Sequence, residues 1–466
     1  GLPETAIKAI EPIYQKALKE KEIAQACRAL AEKIVLEGEI QGNKPEEKIQ
    51  RLEEEINKTT PEMKPVLRII LAKWYYHYFS RNRYRFIDRD TTVNLDSKDF
   101  TTWDLPKLFN HIGSIYENVL KDEETLSQVP ISKLDNFLEE GNVPTSLRSN
   151  LFEFFAHEAL EFYMDDEQTT AKPKNAFEIE VDSPAFASVE EFVKWEPQTI
   201  DKDSCNLKAL KLFQRLLSIN IATNNESALI DNDYKRLLWV KGIAVGENKQ
   251  EAYEKALQSL IANHPDNEFT SLPMSGLARI QVQKGNNIEA LATAQKVVEK
   301  WPNSFGAPEA RNVISDITTP SLSFNTEKVL SSSNSEIKIS FKNLDKAYFR
   351  LIKRSETDFL STEYYDPDSI TRKQFEKLLT LEPFKSWEES LDPGKEYKLQ
   401  NKVVALFQFI EELNKLKQKS VINVNNYNNN GWYFPLSNLP DDPDNITVFY
   451  RDRVEDEDAS IGSTLL

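Results

Sequence analysis

The sequence has little of what catalysis and metal binding usually require. Its 466 residues include two cysteines, Cys27 and Cys205, and four histidines. Two thiols make neither a zinc knuckle nor a disulfide framework, so two separate buried thiols are expected. His77, His111, His157 and His264 include no pair at a metal-ligand spacing such as i, i+4, and each lies in or beside an apolar helical pattern. Structural histidines are the simpler reading. No glycine-rich phosphate loop follows a strand, and neither a G-x-S-x-G elbow nor an H-E-x-x-H motif occurs. Asp441-Asp442-Pro443-Asp444-Asn445 offers oxygens suited to calcium, but without the glycine and distal glutamate of a calcium loop. The expectation is a protein that is not an enzyme, with no catalytic residue, cofactor or metal.

Basic charge and long apolar runs are equally scarce. A formal charge of −17 disfavours nucleic acid or an anionic membrane as a general partner, because phosphate neutralisation needs a basic field. Local basic patches such as Arg81-Asn82-Arg83-Tyr84-Arg85 are the exceptions to that balance. No run approaches the roughly 18 apolar residues of a spanning helix, and the mean hydropathy of −0.54 fits a soluble protein. Hydrophobic residues still make up 40% of the chain, ample for a core, and the length suits about three domains. The first residues, Gly1-Leu2-Pro3, show neither an initiator methionine nor a charged-then-apolar leader. A processed chain or fragment is therefore expected, with any signal or lipid anchor outside it.

What the chain does have is helical periodicity over its first three hundred residues. Apolar positions in Ile10–Leu36 fall on helical stripes, and Glu46–Ile56 predicts a second helix. Thr60 and Pro61 predict the cap and first turn of a third, which would carry Val66, Leu67, Ile70, Leu71, Trp74, Tyr75, Tyr78 and Phe79 on one broad face. Leu105–Leu120, Ile131–Glu140, Leu147–Tyr163 and Cys205–Ile219 read as further helices. Between 164 and 204 the pattern fails, leaving an irregular connection with one short helix at Ser188–Trp195.

Residues 233–317 carry signs of repetition. His264-Pro265-Asp266-Asn267 and Trp301-Pro302-Asn303-Ser304 are similar helix terminators, and Leu277-Ala278, Gly285, Ala290 and Pro302 have the spacing of a tetratricopeptide repeat. From Pro320 the period becomes alternating, through Leu322, Phe324, Ile337, Ile339, Phe341, Ala347, Phe349 and Leu351, as in half-buried strands. Ser331–Ser335 and Asn343-Leu344-Asp345 read as turns. Beyond about Gln400, Phe407–Gln418 suggests a helix, Asn423–Gly431 is rich in asparagine, and Asn445–Arg453 suggests a strand. The expected fold is α+β and multidomain: a helical domain at 1–163, the connection at 164–204, tetratricopeptide-like hairpins at 205–317, and an antiparallel β-sandwich of macroglobulin or immunoglobulin type at 318–466.

The densest feature is the stretch from Trp74 to Phe86, with seven aromatic residues and three arginines among thirteen. Such side chains stack on sugars or bases, or they fill the interior of a helical array. Continuity with the Val66–Leu71 stripe favours the interior. Trp74, Tyr75, Tyr78, Phe79, Arg83, Tyr84 and Trp103 are accordingly the candidate interaction or core cluster.

The blocks Leu71-Ala72-Lys73-Trp74-Tyr75-Tyr76-His77-Tyr78-Phe79 and Asn82-Arg83-Tyr84-Arg85-Phe86 resemble the N-terminal region of large bacterial α-2-macroglobulin-family proteins. Thr102-Trp103-Asp104-Leu105 with Tyr116, Phe154–Leu160, Ala209–Leu217 and Asn343–Arg350 agree in order, so the resemblance covers about residues 5–400. It implies a helical region before the first macroglobulin domain of a secreted or periplasmic protease trap, often lipid-anchored. Conjugating members use a Cys-x-x-Gln thioester, which neither Cys27 nor Cys205 matches. The expected role is a non-enzymatic structural portion of such an inhibitor. Its partners would be downstream domains of the same protein and a protease or envelope protein, with a membrane reached only through a lipid anchor outside this chain. The alternative is a surface glycan-binding helical-repeat protein of a nutrient-uptake system, and a cytosolic repeat scaffold is a third reading.

Overall fold

The computed structural model describes residues 3–40, 42, 44–87, 99–138, 141–165, 167, 176–326, 336–353, 372–383, 385–405, 425–427, 431–435 and 445–451. The chain divides into two compact units, Gly1–Met274 and Ser275–Leu466. The division falls inside one helix of the stretch with repeat spacing.

In the first unit, α1 (Pro3–Glu20) and α2 (Ile23–Ile40) form a hairpin where the sequence reads as a continuous helical stretch. The break is at Lys21, which takes a left-handed φ of 58°. There the Glu22 N–H donates to the Ala17 carbonyl at 2.9 Å, the six-to-one bond of a Schellman helix end. Asn224, at φ 52°, ends a later helix the same way, with Asn225 N–H donating to Asn220 at 3.0 Å.

Next come α3 (Pro45–Lys58) and α4 (Lys64–Arg81). The start of α4 is displaced from the expected Thr60–Pro61. Those residues form a turn, with Met63 N–H donating to Thr60 O at 3.2 Å, and Pro65 occupies the first helical turn, where its missing N–H costs nothing. After α5 (Arg83–Ile87) come α6 (Leu105–Leu120), α7 (Glu123–Ser127) and α8 (Leu151–Tyr163). Asp104 caps α6 by accepting from Lys107 N–H at 2.9 Å.

The expected helix at Ile131–Glu140 is only a 3-10 turn, Ile131–Leu134. Its backbone is diverted into a bridge, because Ile131 N–H donates to Ser149 O at 3.0 Å and Leu151 N–H to Val129 O at 2.9 Å. The same bridge delays α8 to Leu151. Asn150 caps that helix, and Glu153 accepts from Ser149 N–H at 2.7 Å in a box-like reciprocal arrangement.

Residues 176–204 are largely irregular, with the short α9 at Val189–Phe192 inside the expected Ser188–Trp195. The unit continues through α10 (Cys205–Ala222), α11 (Glu226–Ile243) and α12 (Lys249–Asn263), and α13 (Ser271–Gln283) crosses its boundary. The longer helices pack in sequence: α1 on α2, α2 on α3, α3 on α4, α4 on α6, α6 on α8, α8 on α10, α10 on α11, and α11 on α12. This is a helical array whose core runs from end to end.

In the second unit, α14 (Asn287–Lys300) packs on α15 (Ala307–Thr318). Gly285, at φ 76°, closes α13, with Asn286 N–H donating to Gln281 O at 2.9 Å. Two antiparallel sheets follow. One has the order β1 (Ser321–Thr326), β2 (Glu336–Lys342), β5 (Gln400–Ala405). The other runs β4 (Lys385–Ser390), β3 (Lys346–Lys353), β8 (Asn445–Arg451), β7 (Gly431–Pro435), β6 (Asn425–Tyr427).

The alternation read from the sequence is realised in β2 and β3, where Ile337, Ile339, Phe341, Ala347 and Phe349 are buried. The expected turn at Asn343–Asp345 joins β2 to β3, with Asn343 at φ 57°. Phe349 stacks on Trp387 at 4.8 Å. Arg350 donates to the Leu379 and Leu381 carbonyls at 2.8 and 2.7 Å, which closes the end of α16 (Arg372–Thr380). The shown fold is thus mostly helical, followed by antiparallel β-structure. The expected elements at Ser331–Ser335, Phe407–Gln418 and Asp441–Asp444 lie outside the described residues.

Candidate functional site

Helix α4 is buried along one broad side and exposed at Lys73, His77, Ser80 and Arg81, and its aromatic side chains separate into two faces. On the inward face, Tyr75, Tyr78 and Phe79 are buried, as is Phe86 of α5. Tyr75 meets Phe100 edge-on at 4.9 Å, Tyr78 meets the same ring at 5.1 Å, and Phe79 meets Phe109 at 4.9 Å. Phe109 continues to Phe162 at 5.7 Å, and Tyr116 stacks on Phe162 at 5.6 Å. A connected network of rings therefore joins α4, α5, α6 and α8. Edge-to-face pairs of this kind each add about 0.5–1.5 kcal/mol beyond the area they bury.

The polar ends of these rings are satisfied locally. Tyr75 donates to Glu53 of α3 at 2.8 Å, and half-buried Tyr76 donates to Asp165 at 2.5 Å. Burial, reinforced by the adjacent carboxylates, holds both phenols well above their ordinary range, so they remain protonated donors. Trp103 is also core, against Phe100 at 6.4 Å and His111 at 5.0 Å. Arg83 reaches Glu167 at 2.7 Å. Tyr84 is 78% exposed and stands apart from the network. Of the seven candidates, the fold brings Tyr75, Tyr78, Phe79 and Trp103 together as core and leaves Arg83 and Tyr84 at the surface.

Trp74 belongs to neither group. The broad face read from the sequence places it and Ile70 inside, yet both are half-buried, and Ile69 and Ala72 take buried positions. Trp74, His77 and Arg81 stand at i, i+3 and i+7, one stripe of the helix surface. This stripe forms one wall of a groove of about 240 Å³ over the α2–α3 junction. Val35, Pro45 and Ile49 supply the apolar floor, with Lys48 and Asn82 at the margin. The Asn82 amide donates one N–H to Tyr78 O at 2.9 Å. The Lys48 side chain lies across Gly38 of α2, where a Cβ would collide with it.

None of the described residues lining the groove is acidic, although Asp and Glu outnumber Lys and Arg by 75 to 58 in the chain. Among the described residues, Trp74 has no ring partner, and neither His77 nor Arg81 has an ion-pair partner. Val35 and Lys48 were not singled out by the sequence, which read His77 as a structural histidine and Arg81 only as part of the local basic run. The i, i+3, i+7 spacing of a tryptophan with two cationic or titratable residues was the available signal.

No group of three or more His, Cys, Asp or Glu among the described residues is placed to hold a metal ion. No described helix is long and apolar enough to cross a membrane. Cys27 and Cys205 are not joined in a disulfide, and Cys27 is fully buried. Burial pushes Cys27 up to about 12 and Cys205 up to about 11, well away from the activated thiolate of a nucleophile. In comparisons with known proteins, no family model, no curated protein and no solved structure matches the chain.

Proposed function

We propose that the chain is a non-catalytic, structural and interaction-bearing portion of a large α-2-macroglobulin-like protease inhibitor of a bacterial envelope. The observation that carries this reading is the order of its parts. A helical array ends at Thr318, and antiparallel strands begin at Ser321. The residues that carry the family resemblance occupy structural positions along that order: the aromatic block in α4 and α5, Phe154–Leu160 in α8, Ala209–Leu217 in α10, and Asn343–Arg350 in the turn and strand β3. On this reading the two sheets are the faces of a macroglobulin-type sandwich, and the paired helices of the second unit are tetratricopeptide-like. The array braces domains that follow in the full-length protein, in the periplasm or at the cell envelope, and contacts a protease or an envelope partner.

The mechanistic consequence is a division of labour. Neither thiol here is followed by the x-x-Gln of a thioester, and both are held protonated by burial. Covalent capture and bait cleavage therefore belong to other segments, while this chain contributes rigidity and surface. The test is a trapping assay on the full-length protein with a broad-specificity endopeptidase. Hydrolysis of a protein substrate should be blocked while hydrolysis of a small peptide substrate persists, and the isolated chain should alter neither. Peptide hydrolysis by the isolated chain, or a covalent protease adduct formed by it alone, would overturn the reading.

A further inference from the structure

We propose that the Trp74 groove is a binding site for a short acidic peptide segment that seats one large apolar side chain. This goes beyond the envelope reading and does not depend on it. The argument begins with size. At about 240 Å³ the groove is smaller than the roughly 300–1,000 Å³ of pockets that enclose whole small-molecule ligands. It suits a single aromatic or branched side chain laid against the Trp74 indole and the Val35–Ile49 floor.

Shape gives the second constraint. Trp74, His77 and Arg81 run along one helix stripe, and seven residues of helix advance about 10.5 Å. An extended segment of about three residues spans that length at roughly 3.3 Å per residue. Its apolar side chain would face Trp74, and its next carboxylate would face Arg81.

Charge gives the third. Among the described residues the lining carries no carboxylate, and Arg81 adds a cation without an ion-pair partner, so this wall of the groove is positive on an acidic protein. A basic segment would find no counter-charge, whereas an acidic one would meet a planar guanidinium able to bind a carboxylate through two hydrogen bonds. A neutral sugar fits less well. Its hydroxyls need several acceptors as well as donors, yet among the described residues the lining has no carboxylate and Asn82, one N–H of which goes to Tyr78 O, is its only amide.

The experiment titrates the full chain into a fluorescein-labelled heptapeptide, Gly-Asp-Glu-Phe-Glu-Asp-Gly, and follows fluorescence anisotropy at low and moderate salt. Matched peptides carry lysine in place of every acid, or serine in place of phenylalanine. The acidic phenylalanine peptide should bind and weaken with salt, with both matched peptides about tenfold weaker or worse. Trp74→Ala and Arg81→Glu should each weaken binding by about tenfold. Arg81 is exposed, so Arg81→Glu leaves the fold intact and keeps the test decisive should Trp74→Ala lose structure by circular dichroism. Several outcomes would overturn the proposal: no binding of the acidic peptide, undiminished binding by Arg81→Glu, equal binding of the lysine peptide, equally tight binding of free phenylacetate, or displacement by a neutral oligosaccharide.

Discussion

Arg236 holds Asp233 at 2.7 Å one turn apart on α11, with both side chains almost wholly buried. The same guanidinium donates to the Ala185 and Ala187 carbonyls at 3.2 and 2.9 Å and lies over the Phe192 ring at 4.2 Å. One buried cation thus pins the irregular connection and α9 onto the helical array. Burial alone would push the Asp233 carboxyl up and the Arg236 guanidinium down, so each charge depends on the other. Arg236→Ala strands a buried carboxylate and two carbonyls and should cost about 3–5 kcal/mol. Pairing Arg236→Met with Asp233→Leu should recover much of that loss. Urea unfolding of the single and double variants measures both, and hydrogen exchange should rise at 184–192 in the single variant.

Lys21→Gly should stabilise the chain by about 1 kcal/mol. Lysine there occupies a left-handed backbone conformation at the end of α1, which glycine adopts without the Cβ penalty. Denaturant midpoints of the two proteins, compared at constant slope, check it.

Much of the fold was legible because local chemistry and tertiary packing agree. Gly285, read from the sequence as part of the repeat spacing, ends α13 in a left-handed conformation that glycine favours, whereas Lys21 ends α1 in the same geometry with no residue-type signal. The two helices therefore read as one. Leu105–Leu120 was found to the residue because Asp104 and the apolar stripe coincide. Ile131–Glu140 misled because its apolar spacing is helical while its backbone is spent on the bridge to Ser149 and Leu151. The groove was not legible. Trp74 has the period of a core residue, and its neighbours Val35 and Lys48 come from helices far back in the chain. The Asp233–Arg236 spacing equally fits a solvated helix pair, since periodicity does not report what covers a surface.

Stability should fall as pH drops below about 6.5. His157 lies buried in α8, and burial, with Arg148 and Lys235 adding repulsion, holds its imidazole well below the ordinary histidine range. The unfolded chain binds that proton first, so this contribution is complete above the unfolded value and is lost as pH falls toward the folded one. The slope from one such group approaches about 1.4 kcal/mol per pH unit. Urea unfolding at pH 7.5 and 5.0 should show the decline, and His157→Phe should flatten it.

The thiols should be inert in the native state. Cys27 is raised to about 12 by burial and donates to the Met63 carbonyl at 3.9 Å, and Cys205 is raised to about 11. A chromogenic disulfide reagent at pH 7.5 should leave Cys27 unlabelled and react slowly with half-buried Cys205. In guanidinium both should react at once. Native labelling of Cys27 at the rate of a free thiol would contradict its placement.

The central structural claim is that α4 spends its inward rings on the core and reserves Trp74 for a surface groove. Side-by-side urea unfolding of Phe79→Ala and Trp74→Ala tests it most directly. Phe79→Ala should cost about 3–5 kcal/mol by opening a cavity in the ring network, and Trp74→Ala should cost under about 1.5 kcal/mol. Equal, large losses from both substitutions would make Trp74 one more core ring and leave the helix without a functional face.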